Sequence, residues 1–260
     1  MIKIRNLWKR FGKLQVMAGL NLDVSDGETL VILGPSGIGK SVLLKHIIGL
    51  LKPDEGTIDV SGVPITELKG VELLKSIKHM GMLFQGSALF DSMTVEENVA
   101  FYLHEHKDPQ SGNRLSKAEI ADRVTHALEM VGLQGTENKM PSDLSGGMRK
   151  RAALARMIVY RPSIVLYDEP TTGLDPIIAM QINELIVKTK KELKATSIVV
   201  THDMFSALYV GDRLALIRDG KIAHIADPEH FLQIDDPLIT FLYNSISQDP
   251  RKLKEKNRHG

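Results

Sequence analysis

The 260-residue chain contains no cysteine. Disulfides, cysteine-based zinc sites and thiol catalysis are excluded, and a reducing compartment such as the cytosol suits that composition. It also lacks an excess of either charge. Lysine and arginine number 33 against 32 acidic residues, so the surface as a whole is no nucleic-acid footprint and no nucleic-acid partner is expected. The N-terminal MIKIRNLWKRF alternates charged and apolar residues and holds no signal-peptide core. No uncharged apolar run reaches the roughly 18–20 residues needed to span a bilayer. Repeats and low-complexity tracts are missing too. The sequence predicts a soluble protein, long enough for one large α/β core or two small ones, whose membrane role is peripheral.

What is present is alternation of strands and helices. IKIRNLW and LNLDV alternate apolar and polar residues, as half-buried antiparallel strands do. TLVIL (29–33), SIVLY (163–167) and SIVVT (197–201) are continuous apolar runs, which predict strands covered on both faces. Helical patterns follow each, at 40–50, 176–194 and 203–210, so the core reads as βαβ units around a parallel sheet. Residues 94–132 and 145–160 read as helices broken by a loop at Asp108, Pro109, Ser111, Gly112 and Asn113. Residues 86–160 are thus expected to form a helical subdomain inserted into the α/β core. Asp219-Gly220 sits between two apolar runs and predicts a hairpin. Residues 228–246 read as short helices. The tail RKLKEKNRHG reads either as a solvated terminus or as a segment drawn to anionic lipid.

GPSGIGKS (34–41) fits G-x-x-x-x-G-K-[ST] and lies between a predicted strand and a predicted helix, the context this phosphate loop requires. Gly34, Pro35, Ser36, Gly37, Ile38 and Gly39 form the loop. The glycines let backbone N–H groups converge on a phosphate at a helix N-terminus. Lys40 reaches the β/γ oxygens, and the Ser41 hydroxyl ligates Mg²⁺. A carboxylate pair is then needed at the end of another parallel strand. Asp168 and Glu169 supply it after SIVLY, Asp168 for Mg²⁺ and Glu169 for the attacking water. An isolated Asp-Glu is more often a capping or surface pair; its place behind a buried strand favours function here.

LSGGM (144–148), YDEP (167–170), TGLD (172–175) and THD (201–203), in this order after the phosphate loop, resemble the ATP-binding-cassette ATPases over about residues 2–230. The resemblance implies an α/β P-loop NTPase fold with a parallel core, an antiparallel β subdomain and the helical insertion, followed by a C-terminal extension and basic tail at 231–260. It implies ATP and Mg²⁺ as ligands. It also implies roles for Gln85 (linking Mg²⁺ and water to a partner), Asp175, and His202 (on the γ-phosphate). Phe11, with Val16 beside it, is similar to the adenine-stacking platform; an apolar edge of the small β region is the other reading. Ser145, Gly146 and Gly147 are implied to close on the γ-phosphate bound by a second copy, in a head-to-tail homodimer. The basic run Arg149, Lys150 and Arg151 reads as partly a solvated face and partly electrostatic support. Most relatives carry Gln where this chain has Met148.

The strings MLFQGSALFDSMTVEENVAF (82–101) and MPSDLSGGMRKRAALARM (140–157) resemble the ATPases of MCE-associated lipid transporters of the maintenance-of-lipid-asymmetry type. That implies an integral permease, an MCE-domain lipid-binding protein, and a place on the cytoplasmic face of the inner membrane. The permease contact is expected around Gln85–Glu105, with Ala88, Leu89, Phe90, Met93, Val99 and Phe101 forming a groove or serving the subdomain core. A soluble ATPase such as an iron–sulfur-assembly scaffold is the alternative. Tandem translation factors and coiled-coil repair ATPases do not fit one cassette of this length. Glu169 and His202 argue against a non-hydrolysing regulatory module.

Overall fold

The computed structural model describes residues 1–247. The basic tail lies outside the described residues. Two long strands, β1 (Ile2–Phe11) and β2 (Leu14–Val24), open the chain, and β3 (Thr29–Leu33) leads into helix α1 (Lys40–Ile47). β4 (Glu55–Val60), β5 (Val63–Pro64), α2 (Gly70–Ile77) and β6 (Met80–Leu83) follow. A helical block comes next: α3 (Val95–Glu105), α4 (Lys117–Met130), a 3₁₀ turn (Pro141–Asp143) and α5 (Gly146–Ile158). The chain returns through β7 (Ile164–Asp168), α6 (Pro176–Leu193), β8 (Thr196–Thr201) and α7 (Met204–Val210). It continues with β9 (Arg213–Arg218), β10 (Lys221–Ala226), α8 (Pro228–Leu232) and α9 (Pro237–Ser247).

The larger sheet has the order β10-β9-β3-β8-β7-β6, parallel except for the β9–β10 hairpin. β3, β7 and β8 are buried on both faces, which their continuous apolar runs require. Leu30 and Ile32 join one core with Leu43 and Leu44 of α1, while Val31 and Leu33 join a second core with the helical block. The same period-2 division places Leu166 in the first core and Val165 and Tyr167 in the second. Each buried aliphatic side chain contributes roughly 1.5–3 kcal/mol. The smaller sheet, β2-β1-β4-β5, is antiparallel. Asp219 (φ 49°) and Gly220 (φ 70°) both adopt the left-handed conformation that a two-residue hairpin demands, and Gly220 O accepts from Ala18 N at 2.9 Å, joining the two sheets.

The helical block forms where the alternation stops. Thr94 with Glu97, and Ser116 with Glu119, make reciprocal capping boxes that start α3 and α4. Among the described residues no helix is long and apolar enough to cross a membrane. The C-terminal helices pack back on the core: Phe231 and Ile239 are buried, and Asp236 bonds Arg218 (2.6 and 2.7 Å) and His224 (3.0 Å). Five elements depart from the sequence reading. β2 starts at Leu14, well before LNLDV. β4, β5 and α2 occupy a stretch in which no element was expected. α1 ends at Ile47 rather than residue 50, because Gly49 leaves the helix at φ 73°.

Candidate active site

Four neighbouring parallel strands, β3, β8, β7 and β6, end at the same edge, where α/β sheets bind ligands. The loops that follow them meet around one cavity of about 240 Å³. Ser36, Gly37, Gly39, Lys40 and Ser41 line it, together with Gln85, Glu169 and His202.

Gly39 sits before α1 at φ 106°, and a methyl group there would lie 2.4 Å from Val16 Cγ1. Only glycine permits this approach. Val16 is 8% exposed and serves as the packing wall of the loop. Phe11 ends β1 and is 45% exposed, with Lys9 Nζ 5.5 Å from its ring centroid. Its open face leaves it able to stack on a planar ring. Gly34 and Pro35 turn their carbonyls toward Lys40 Nζ, at 2.7 and 3.0 Å, while Ile38 packs on the first core.

Asp168 is the last residue of β7 and shares the α1 face with Leu166, so the Ser41 hydroxyl donates to its Oδ1 at 2.6 Å. Burial raises the Asp168 pKa, and the Ser41 hydrogen bond opposes that rise. Strand alternation would send the next residue to the opposite face. Glu169 avoids this by adopting φ 47°, a left-handed backbone that costs a non-glycine residue about 1–2 kcal/mol. Its carboxylate is thereby brought to Lys40 Nζ (3.1 Å), His202 Nδ1 (2.9 Å) and the Thr172 hydroxyl (2.9 Å). With Nδ1 committed to Glu169, Nε2 of the exposed His202 is left for another partner.

The structure does not bring every candidate into this cavity. Ser145 caps α5, its hydroxyl accepting from Met148 N at 3.3 Å, and both Ser145 and Gly146 are exposed away from the cavity lining. Gly147 is buried because a side chain there would meet Ile178 Cγ2 at 2.6 Å. Asp175 caps α6 from an exposed position, accepting from Ile177 N (3.1 Å) and Ile178 N (3.0 Å). The second loop therefore places the N-terminus of α5, a position suited to an anion, outside the cavity that the phosphate loop lines.

The sequence reading gives no role to two residues, Thr172 and Arg156, and takes a third, Lys150, only as part of a basic run. Thr172 holds Glu169 from within the TGLD stretch. Lys150 is not a solvated side chain: it is 5% exposed and donates to the Gln85 carbonyl at 2.5 Å. The signal was available, since Gly147, Lys150, Leu154 and Met157 fall on the i, i+3, i+7, i+10 stripe that α5 buries. Arg156 holds the same loop further along. Of the six residues expected to form a groove, Met93 and Phe101 line a separate cavity of about 690 Å³. Val99 is fully buried in the helical core, and Phe90 is 39% exposed.

Ser41, Asp168 and the nearby Gln85 offer oxygen donors, the class that a hard divalent cation takes. Among the described residues no group of three or more His, Asp or Glu could hold an ion by itself. Mg²⁺ would be held there by one or two protein groups, with phosphate oxygens and water completing its coordination.

The family model for ABC transporters matches residues 17–172. The intermembrane phospholipid transport ATP-binding protein MlaF of Haemophilus influenzae is 41% identical over 98% of this chain and 94% of its own length. A Mycobacterium leprae protein, named a probable ribonucleotide transport ATP-binding protein (mkl), is 39% identical over 98% of this chain and 72% of its own. Among solved structures, the dimeric post-hydrolysis state of the ATP-binding cassette MJ0796 bound to ADP and Pi superimposes with a TM-score of 0.79 at 33% identity, covering 87% of this chain and 98% of that one. With the phosphate loop, the paired carboxylates and the histidine meeting in one cavity, the chain belongs to the ABC transporter family and is an ATP-hydrolysing cassette.

Proposed function

We propose that this chain powers lipid transport as a head-to-tail pair, bound on the cytoplasmic face of the inner membrane to an integral permease and an MCE-domain lipid-binding protein. In this reading Lys40 and the amides of residues 34–41 hold the β- and γ-phosphates, and Phe11 stacks on adenine. Ser145, Gly146, Gly147 and Asp175 of a second copy complete the site. Glu169 orients water and draws off its proton as the bond to the γ-phosphorus forms and the bond to the ADP oxygen breaks. His202, steadied by Glu169, offers Nε2 to the γ-phosphate. Ser41, Asp168 and Gln85 would hold Mg²⁺, which supplies charge neutralisation at the β/γ oxygens.

The observation that carries the paired reading is a division of labour. Ser36, Gly37, Gly39, Lys40 and Ser41 meet in one cavity, whereas Ser145, Gly146 and Asp175 are exposed at the starts of α5 and α6, away from it. Support for a lipid cargo comes from the likeness to the Haemophilus influenzae protein, whose near-complete mutual coverage joins the higher identity. The name of the Mycobacterium leprae relative favours ribonucleotide instead. Purification from membranes under mild detergent should return a permease. ATP turnover of the reconstituted complex should rise with phospholipid and not with added ribonucleoside. Stimulation by ribonucleoside alone would reassign the cargo, and purification without any membrane partner would favour a soluble scaffold ATPase.

A further inference from the structure

The loop between β6 and α3 contains Gln85 and has no regular structure. Two successive non-glycine residues in it, Ser87 (φ 65°) and Ala88 (φ 52°), take the left-handed conformation, which persists only where surroundings impose it. The surroundings are side chains of α5 and α3. Lys150 donates to the Gln85 carbonyl at 2.5 Å from a buried position. Arg156, six residues or about 9 Å further along α5, donates to the Ala88 carbonyl at 2.8 Å and lies over the Phe90 ring, 4.8 Å from its centroid. Fully buried Asn98 of α3 closes the end of the loop, accepting from Phe90 N at 2.8 Å and donating to the carbonyls of Phe90 and Met93 at 3.0 Å each.

α5 therefore does two things. Its first turn, at Ser145 and Gly146, faces outward. Its second turn grips the backbone of Gln85, which lines the chain's own phosphate cavity. We propose that Lys150 and Arg156 are positioning residues that fasten the Gln85 loop to α5, so that engagement of Ser145 by a neighbour's nucleotide sets Gln85 for hydrolysis in this chain's own site. The inference rests on the paired reading above. It differs from that reading in assigning communication between the two sites to two backbone tethers on a single helix. Neither Lys150 nor Arg156 lines the phosphate cavity. A lysine is suited to the first because a buried ammonium gains from the nearby charges of Asp168 and Glu169, which oppose the lowering that burial imposes on its pKa.

The test separates assembly from chemistry. Lys150→Met and Arg156→Met remove the tethers while keeping bulk, and Lys150→Arg keeps a donor. Each is made in the full chain, once with Glu169 intact for phosphate release and once with Glu169→Gln for ATP-driven dimerisation by light scattering. Lys150→Met and Arg156→Met are expected to lower turnover tenfold or more, yet leave dimerisation within about twofold of the parent, a 0.4 kcal/mol change. Lys150→Arg should restore most of the turnover. Wild-type turnover in Lys150→Met, or equal loss of dimerisation and turnover, would overturn the tether. If the Glu169→Gln parent itself does not dimerise with ATP, the paired reading fails first, and the tether with it.

Discussion

Glu169 and His202, which follow adjacent strands, are joined Oε2 to Nδ1 at 2.9 Å, while the other Glu169 oxygen faces Lys40 at 3.1 Å. One carboxylate thus connects the cation of the phosphate loop with the imidazole at the end of β8. Glu169→Gln keeps the shape of this junction and removes its charge. ATP binding should persist, turnover should fall by about 10²-fold or more, and phosphate release measured beside nucleotide binding checks the split. Near-normal turnover would require another residue to orient the water.

Lys40 and Phe11 act on opposite ends of the nucleotide and should differ in weight. An aromatic contact is worth roughly 0.5–1.5 kcal/mol, so Phe11→Ala should weaken ATP binding by about tenfold or less. Loss of a preorganised charge at the transferred phosphate costs about 10²–10³ in rate, so Lys40→Ala should nearly abolish hydrolysis. Equilibrium binding and initial rates on the two variants decide this. Comparable mild effects would place the phosphates elsewhere.

The outward-facing Ser145 can be tested by mixing. In a Glu169→Gln background, Lys40→Ala and Ser145→Arg should each associate weakly with ATP, as read by cross-linking. A mixed pair regains one complete site, built from Lys40 of one chain and Ser145 of the other. Partial rescue is expected. No rescue at any concentration, with both variants folded, would mean that Ser145 does not complete a neighbour's site.

Gly147 is where α5 and α6 come into contact, through Ile178. Gly147→Ala should cost roughly 1–3 kcal/mol as an overpacked contact and should displace Ser145. Adding Ile178→Ala removes the obstructing methyl group and should recover part of both stability and turnover. Thermal unfolding and phosphate release on the single and double variants measure this. Failure of the second substitution to help would locate the strain elsewhere.

Asp108 gives a pH signature outside the site. Its burial opposes ionisation, but Arg123 at 2.8 Å and Ser111 outweigh it and hold the carboxyl down to about 2. A folded value below the ordinary one of about 3.9 means stabilisation that is full above that pH and lost as pH falls toward 2, on the order of 2 kcal/mol. Wild type should exceed Asp108→Asn in thermal stability at pH 6, and the gap should narrow by pH 3. A constant gap would assign the effect to shape rather than charge.

The parallel core was legible because its strands are buried on both faces and so read as unbroken apolar runs. The phosphate loop, Asp168 and Glu169 were legible because each stands at the end of such a run. β4 was not, since its pairing partner is remote: Val60 lies opposite Ile2, a register that no local pattern encodes. α2 was hidden for another reason. It buries no residue completely: Leu73 and Ile77 pack on the first core only half-buried, while Val71 and Leu74 are exposed, so its apolar residues do not all mark one face. Lys150 reads only as one of a basic run, partly solvated and partly electrostatic support, although its helical spacing places it among buried residues. The conformation of Glu169 could not be seen at all: glutamate gives no sign of a left-handed backbone.

That conformation has a consequence for how the protein would change under selection. Glycine is the residue the backbone at 169 would accept most readily, and the carboxylate is kept there against that preference by Lys40, His202 and Thr172. Selection for thermal tolerance alone would relax this position, and selection for turnover would hold it. A lineage released from the need to hydrolyse ATP should therefore lose the acid at 169 early, while retaining Gly39, Val16 and the apolar strands that keep the nucleotide site in shape.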